Sequence, residues 1–314
     1  MSGRTRLTAR WAVGWERPAL AALLERVGIR EAGYELVQSS RGRAVFRSLE
    51  DRLIVRVIHP SRAAVASNEL RFARWARSAG LPIAGPVLRF GDEPVSTPMG
   101  SGSFWPLYDP VPPTEVDLEW FGRTLRRLHD VGTLPPTNGW CPEFGISAAL
   151  DRVRGAMSVE RDVCALFVDR ANRALSGLAW VRRGGADVPI HGDASIENVV
   201  AHGSEYLLID FESSGIGPGA YDLAPIQTRA RRFGGPWTAV ESMVRAHGGV
   251  ATQVNEAMVN LHEVLIVCGA VVPHMERSGR FRDEFVLRVT TLDDPEGPSW
   301  TPHLRLLMTT ALEQ

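Results

Sequence analysis

The chain has 314 residues, a length that allows two packed lobes, and its 44% apolar and 23% charged residues are ordinary for a globular protein. No apolar run approaches the ~20 residues that a membrane-spanning helix needs. The formal net charge of −1 provides no general attraction to nucleic acid or to a membrane surface. The basic N-terminus lacks the apolar segment of a signal peptide. We therefore expect a cytoplasmic protein with no nucleic-acid or membrane partner.

Two further features of the composition bear on chemistry. All 35 basic residues are arginine, so an arginine must hold any phosphate-binding position that lysine usually fills. The three cysteines, Cys141, Cys164 and Cys268, are far apart and lack metal-ligand spacing. We interpret them as small core residues of a protein in a reducing compartment.

The first hundred residues predict a small sheet with helices. Residues 16–28 have the pattern of a short helix, with Pro18 in its first turn. Short β-branched or aromatic runs at 34–38, 44–47 and 53–58 predict three antiparallel strands. A second helix is expected over residues 61–79.

One ion pair is predicted between the third strand and the second helix. Arg56 is a single charge inside an apolar strand, and Glu69 falls on the apolar face of the helix together with Val65 and Phe72. A carboxylate on that face is costly unless it is paired, and Arg56 is the obvious partner. The alternative is two ordinary surface charges, which the local pattern alone favours, so the pair is predicted only together with the motif at residues 188–224.

The remaining chain predicts mostly helices around one motif-rich segment. A strand over 104–108 leads into prolines, and a helix over 114–130 begins with Thr114 as N-cap. Residues 147–182 carry two helical patterns. The predicted helices after Pro225 are 236–247, 254–277, 279–290 and 301–312.

Residues 188–224 hold the densest chemistry. His191-Gly192-Asp193 follows an apolar start, and Asn198 comes five residues after Asp193. Runs at 198–201 and 205–209 around His202-Gly203 predict a hairpin that brings Asn198 near Asp210. Asn and Asp oxygens suit Mg²⁺, and Asp193 can accept a proton from a hydroxyl. This arrangement is typical of a protein-kinase-type phosphoryl-transfer site. Alternatively, Asp193 and Asn198 only cap turns.

The motifs together resemble the aminoglycoside phosphotransferase / choline kinase family. They are H-G-D-x-x-x-x-N from His191, D-F-E from Asp210, Y-D-L-A from Tyr221 and L-x-x-L-H ending at His129. The resemblance implies an α+β, two-lobed protein-kinase-like fold with a small antiparallel-sheet N-lobe plus one helix and a mostly helical C-lobe. Residues 1–104 would form the nucleotide-binding lobe, 105–113 the hinge, and 114–314 the catalytic and acceptor-binding lobe.

The resemblance also implies residue roles. Asp193 would be the catalytic base, and Asn198 and Asp210 would hold Mg²⁺. Residues expected to bind ATP or GTP are Ser40, Gly42, Arg56, Glu69, Leu107 and Tyr108, the first two in a phosphate-covering loop and the last two through backbone groups at the hinge. Asp222 would support the catalytic loop through backbone hydrogen bonds. His191 and His129 are expected to be structural.

The family pattern is not complete. Arg56 stands where lysine is usual, and Ser195-Ile196-Glu197 replaces the His-Pro-Gly between base and metal ligand. Because the base and both metal ligands are present, we expect an active small-molecule O-kinase, its acceptor an antibiotic or other natural product. Two alternatives stay open. One is a peptide Ser/Thr phosphotransferase whose groove is lined by arginines near residue 231, and the other is a nucleotide-binding pseudokinase.

Overall fold

The structure is a computed structural model that describes residues 14–40, 42–137, 139–185, 187–249, 255–276, 278–303 and 306. Contacts divide the chain into two compact units. The first contains Met1–Val116, Val131–Asn138 and Ile196–Gly215, and the second contains Asp117–Asp130, Gly139–Ser195 and Ile216–Gln314. The lobe boundaries predicted from the sequence stay a prediction.

The first unit is built on a five-stranded antiparallel sheet. Its strands are β1 (Tyr34–Ser40), β2 (Arg43–Ser48), β3 (Leu53–Ile58), β4 (Val95–Thr97) and β5 (Gly100–Pro106), and its helices are α1 (Glu16–Arg26) and α2 (Ala63–Ser78). The strand order in the sheet is β1-β2-β3-β5-β4. The three predicted N-terminal strands and both helices are therefore confirmed. Apolar side chains of α1, including Leu20 and Leu23, pack with Phe46, Val55 and Phe104 of the sheet.

Strand β5 begins four residues before the position predicted from the sequence. Its first half, Gly100–Ser103, has no β-branched or aromatic residue, so the pattern gave no strand signal. Small residues are required there because α1 lies close to the strand. A Cβ atom on Gly102 would stand 2.6 Å from Cδ1 of Leu23.

The predicted hairpin also belongs to the first unit. Strands β6 (Asp109–Pro110), β8 (Val199–His202) and β9 (Glu205–Leu208) form a three-stranded sheet in the order β6-β8-β9. β8 and β9 are antiparallel, with Val199 opposite Leu208 and His202 opposite Glu205. The hairpin prediction is confirmed.

The second unit is mostly helical. Its elements are α3 (Leu118–His129), α4 (Glu143–Arg154), α5 (Arg161–Gly184), β7 (Val188–Ile190), β10 (Gly215–Gly217), α6 (Ala224–Phe233), α7 (Trp237–His247), α8 (Glu256–Ile266) and α9 (Gly279–Thr291). A core that includes Phe167, Met258, Phe281 and Phe285 joins these helices. A small antiparallel sheet followed by helices confirms the predicted α+β class.

Some sequence predictions for these elements are wrong. Asp117, not Thr114, is the N-cap of α3, because its carboxylate accepts from the amides of Glu119 and Trp120 at 2.9 Å. The helix predicted over 254–277 ends its α-helical part at Ile266 and continues as a π-helical turn over Val267–Val271. The helix predicted over 301–312 lies largely outside the described residues.

The cysteine prediction is right only in part. All three cysteines are free, with Cys268 buried, Cys164 partly buried and Cys141 exposed. Cys141 is therefore not a core residue. In the described part of the chain, no helix combines the length and the apolar composition of a membrane span.

Candidate active site

The first unit contains the predicted pair of Arg56 and Glu69. Arg56 lies on β3 and Glu69 on α2, and they are 8% and 2% exposed. Nη1 of Arg56 donates a hydrogen bond to Oε1 of Glu69. The predicted pairing is confirmed, and its burial excludes the reading as two surface charges. Burial alone would lower the pKa of Arg56, but the carboxylates around it outweigh that effect and raise this pKa.

Asp210 joins the same cluster. Its Oδ1 accepts from Nη1 of Arg56 at 2.9 Å and lies 3.5 Å from Nη1 of Arg43, the first residue of β2. Arg43 also forms a 2.6 Å ion pair with Glu212, two residues after Asp210. Asp210 has a φ of 69°, a left-handed backbone conformation that Asp and Asn adopt more readily than most residues. This conformation occurs just past β9, where the chain leaves the hairpin.

Three carboxylates therefore share two guanidinium groups. Among the contacts described for this cluster, Arg43 and Arg56 face Glu69, Asp210 and Glu212, which leaves one excess negative charge when all three carboxylates are ionised. Burial, together with the charges of Asp210 and Glu212, raises the pKa of Glu69 to about 7 against the opposing effect of Arg56. A cluster with excess negative charge favours the addition of a cation.

Asn198 lies beside this cluster along the backbone. It directly precedes β8, and its carbonyl oxygen accepts from the amide of Ile209 at 3.0 Å. Ile209 is the residue before Asp210. The hairpin therefore brings the two predicted metal ligands together at the level of the main chain, as the sequence pattern predicts.

The donor chemistry of these residues fits a magnesium ion. Carboxylate and amide oxygens are the ligands that Mg²⁺ prefers, and it typically takes one or two carboxylates and completes its octahedron with water and substrate phosphates. No cluster of three or more His, Cys, Asp or Glu side chains with metal-binding geometry occurs among the described residues. Asn198 and Asp210 would therefore hold Mg²⁺ together with a nucleotide rather than as a complete protein cage.

The turn between β1 and β2 is the predicted phosphate-covering loop. Ser40 pairs with Arg43 across the hairpin, and Gly42 has a φ of 86°. Such tight turns require glycine because other side chains rarely adopt this conformation. The side chain of Ser40 lies outside the described part of the structure. A Cβ on Gly42 would stand 2.9 Å from Cδ of Arg62, so the side chain of Arg62 lies against this turn.

Leu107 and Tyr108 connect β5 to β6. The amide of Leu107 donates to the carbonyl of Arg52 at 2.8 Å, and its carbonyl accepts from Nη2 of Arg52 at 3.4 Å. A carbonyl oxygen has a second lone pair, so this atom can still accept a bond from a nucleotide base. The Tyr108 ring contacts His202 edge-on, 5.5 Å between ring centroids. Nucleotide binding by these two residues stays a prediction.

The second unit contains the loop that carries Asp193. The carboxylate of Asp222, which is fully buried, accepts from the amides of His191 and Gly192 at 2.8 and 2.9 Å. Nδ1 of His191 accepts from the amide of Asp193 at 3.3 Å. Both contacts agree with the expected supporting roles of Asp222 and His191. Burial alone would raise the pKa of Asp222, but the hydrogen bond and charge of His129 outweigh burial and lower it.

Several residues of the two clusters were not predicted from the sequence. Arg43 and Glu212 have no predicted role, although Glu212 is the third residue of the D-F-E motif and Arg43 follows the loop glycine. His247 is a further case, since it contacts His129 from α7. Nothing in the spacing could have revealed this contact, because 118 residues separate the two histidines.

A small antiparallel sheet with a packed helix, followed by a mostly helical part, is the architecture of protein-kinase-like phosphotransferases. A model of the phosphotransferase enzyme family (APH) matches residues 34–254, well over half of the chain. The chain belongs to this family. The enzyme class predicted from the sequence, a small-molecule kinase, is confirmed at the level of the family. No curated protein is similar enough in sequence to count as a match.

Solved structures share the fold at low sequence identity. A choline/ethanolamine kinase family protein from Mesorhizobium loti is 18% identical, with 94% of this chain and 98% of that chain covered and a TM-score of 0.62. An aminoglycoside phosphotransferase from Streptomyces rimosus is 21% identical, with 79% and 98% covered and a TM-score of 0.61. An amicoumacin kinase in complex with AMP-PNP and Ca²⁺ is 13% identical, with 93% and 98% covered and a TM-score of 0.66.

Proposed function

We propose that the enzyme transfers the γ-phosphoryl group of ATP or GTP, with Mg²⁺, to a hydroxyl group of a small molecule. The observation that carries this proposal is the buried cluster in which Arg56 bonds both Glu69 and Asp210. An arginine held by a helix glutamate corresponds to the strand cation–helix glutamate pair that a kinase-type site needs, and Asp210, the predicted metal ligand, is in contact with it.

Each residue has a defined task in this reaction. Arg56 orients the phosphates, and Glu69 holds the guanidinium in place. Asn198 and Asp210 hold the metal, which when bound neutralises charge that develops on the phosphates. Asp193 accepts the proton of the acceptor hydroxyl, on a loop whose backbone Asp222 fixes through two amides. Most of the catalysis comes from positioning and from charge stabilisation.

The acceptor we propose is an antibiotic or another natural product that carries a free hydroxyl, in resistance or biosynthesis. Related structures are described as kinases of amicoumacin and of aminoglycosides. The peptide alternative depends on arginines available to line a groove. Arg232 is fully buried and bonds Glu263 through two nitrogens at 2.9 and 2.8 Å. Arg231 has only 8% of its side chain exposed and pairs with Glu256 at 2.6 Å. Arg231 and Arg232 are therefore not available to line a peptide groove, which favours a small molecule, although Arg229, the third arginine of this cluster, is only partly buried.

The test combines nucleotide binding with an acceptor screen. ATP and GTP carrying a labelled γ-phosphate are incubated with Mg²⁺ and with choline, aminoglycosides, other hydroxylated antibiotics or a Ser/Thr peptide. Asp193→Asn should keep nucleotide binding and lose at least about a hundredfold in transfer, the range for loss of a general base. Asp151→Asn changes the same charge at an exposed position of the same unit and is the control.

The outcomes separate the alternatives. Transfer to a small molecule that Asp193→Asn abolishes supports the proposal, and transfer to the peptide alone supports the second reading. Transfer by Asp193→Asn at the wild-type rate contradicts the role of Asp193. Nucleotide binding without transfer to any acceptor identifies a pseudokinase.

A further inference from the structure

A row of hydrogen bonds in the second unit connects helix α7 to the backbone of the Asp193 loop. Nε2 of His247 lies 2.9 Å from Nδ1 of His129, and Nε2 of His129 lies 3.1 Å from Oδ2 of Asp222. The two oxygens of Asp222 accept from the amides of His191 and Gly192. The row therefore contains two imidazoles and one carboxylate, and it ends on the two residues that precede Asp193.

The positions of the protons in this row follow from which atoms can donate and which can only accept a hydrogen bond. The carboxylate of Asp222 only accepts, so Nε2 of His129 must carry the proton between them. One further proton must lie between the two rings, because two bare nitrogens or two N–H groups at 2.9 Å would repel each other. His247 is therefore the hydrogen-bond partner that completes the bonding of His129.

His247 acts in this row as a neutral group. Burial, with the charges of His129 and Arg126, lowers the pKa of His247 to about 4, against the opposing charges of Asp222 and Asp130. At neutral pH its ring is uncharged. A neutral hydrogen-bonding side chain of similar reach could therefore replace it.

The packing of α3 against α7 places His247 where the row needs it. A Cβ on Gly122 of α3 would stand only 2.2 Å from the carbonyl oxygen of Met243 and 3.1 Å from the amide nitrogen of His247. Only glycine lets the two helices approach this closely. This backbone contact fixes the position of α7 along α3, seven residues before His129, and it is independent of the hydrogen bonds.

We propose that His247 is a positioning residue that holds the catalytic loop through His129 and Asp222. The inference rests on the proposed function for its effect on turnover, but its effect on the loop does not depend on activity. Loss of the His247 bond leaves a nitrogen of His129 without its partner, weakens the orientation of His129 on Asp222, and loosens the amides of His191 and Gly192.

The experiment compares His247→Leu, which cannot hydrogen-bond, with His247→Gln, whose amide group can donate or accept at the same reach. Amide hydrogen exchange of the unliganded protein is measured at His191 and Gly192. In His247→Leu this exchange should rise about tenfold, the factor expected for loss of one hydrogen bond, and in His247→Gln it should stay within about twofold of wild type. With an acceptor from the screen, kcat should fall about tenfold in the leucine variant while the nucleotide KM changes less than about twofold.

Two results would overturn the proposal. One is unchanged exchange at His191 and Gly192 in a folded His247→Leu protein, and the other is a glutamine variant that is as impaired as the leucine variant. If the leucine variant does not fold, ¹⁵N spectra of the imidazoles in the wild-type protein test whether His129 and His247 share a hydrogen bond. The ring proton between His129 and His247 should be protected from solvent exchange, and rapid exchange would contradict the row. Changed exchange in a protein that transfers no phosphate would refute the proposed function alone.

Discussion

Replacement of Asp210 by asparagine tests the charge balance of the first unit. The change removes one of three carboxylates and leaves Glu69 and Glu212 matched by Arg43 and Arg56. Asparagine keeps an oxygen that accepts from Arg56, and it tolerates the left-handed φ of 69° that alanine would not. We therefore expect the free energy of unfolding of the unliganded protein to change by less than about 1 kcal/mol, since the lost attraction and the relieved repulsion oppose each other.

The effect on ligand binding should be much larger. Wild-type protein with Mg²⁺ and nucleotide at one hundred times Kd gains about 2.7 kcal/mol, because a ligand that binds only the folded state stabilises it by mass action. For a chain of this size that gain raises Tm by roughly 5 °C. Asp210→Asn loses the charged oxygen that Mg²⁺ prefers, so the magnesium-dependent part of the shift should nearly vanish.

The assay is thermal unfolding with ATP or GTP, each with and without Mg²⁺, followed by calorimetric titration of the nucleotide. Asp92→Asn, an exposed carboxylate of the same unit that pairs with Arg74 at 3.3 Å, is the matched control and should behave as wild type. A full magnesium-dependent shift in Asp210→Asn would refute Asp210 as a metal ligand. A loss of about 3–5 kcal/mol in the unliganded variant, the cost of breaking a needed buried pair, would refute the argument from excess charge.

Two further predictions concern stability and pH. Arg56→Met leaves Glu69 buried without its partner, so urea unfolding should show a loss of about 3–5 kcal/mol at pH 8. The loss should be smaller at pH 6, because the pKa of Glu69 is already raised to about 7 with Arg56 present and removing Arg56 raises it further, so Glu69 binds a proton in both proteins there; a loss independent of pH would contradict this. His262 has a pKa that burial lowers to about 4 from 6.5, so the unfolded chain binds its proton first as the pH falls. Its contribution to stability is complete above pH 6.5 and is lost towards pH 4. In His262→Gln the slope of unfolding free energy against pH between 6 and 4.5 should be about 1 kcal/mol per pH unit smaller than in wild type, and equal slopes would refute the assignment.

Local patterns were sufficient for most elements. The β-branched runs before residue 60 predicted β1 to β3 correctly, and the hairpin of β8 and β9 followed from two apolar runs around Gly203. The pattern of β-branched and aromatic residues missed the start of β5, because the small residues there are required by the close approach of α1 and have low strand propensity. The N-cap of α3 was predicted at Thr114 but is Asp117; Thr and Asp are both common N-cap residues, so residue type alone does not locate the start of the helix.

In the candidate site, too, some features were predicted from the sequence and others were not. A carboxylate at an apolar helical position needs a partner, and Arg56 was the candidate, but the pairing with Glu69 was predicted over two surface charges only together with the motif at residues 188–224. The motif spacing likewise placed Asn198 and Asp210 at the ends of one hairpin. The first prediction combines helical periodicity and the cost of an unpaired buried charge with the motif, and the second follows from the hairpin pattern.

Only the tertiary structure decided the contacts between distant elements. Arg43 reaches Asp210 and Glu212 because β2 and the end of the hairpin lie close together in the first unit. His247 meets His129 because Gly122 allows α7 to approach α3 at backbone distance. Sequence spacing carries no information about such contacts, since they depend on the packing of whole helices and strands. The sequence therefore determined which chemical groups are present and their local geometry. The packing of distant elements determined which of these groups form ion pairs and hydrogen bonds with one another.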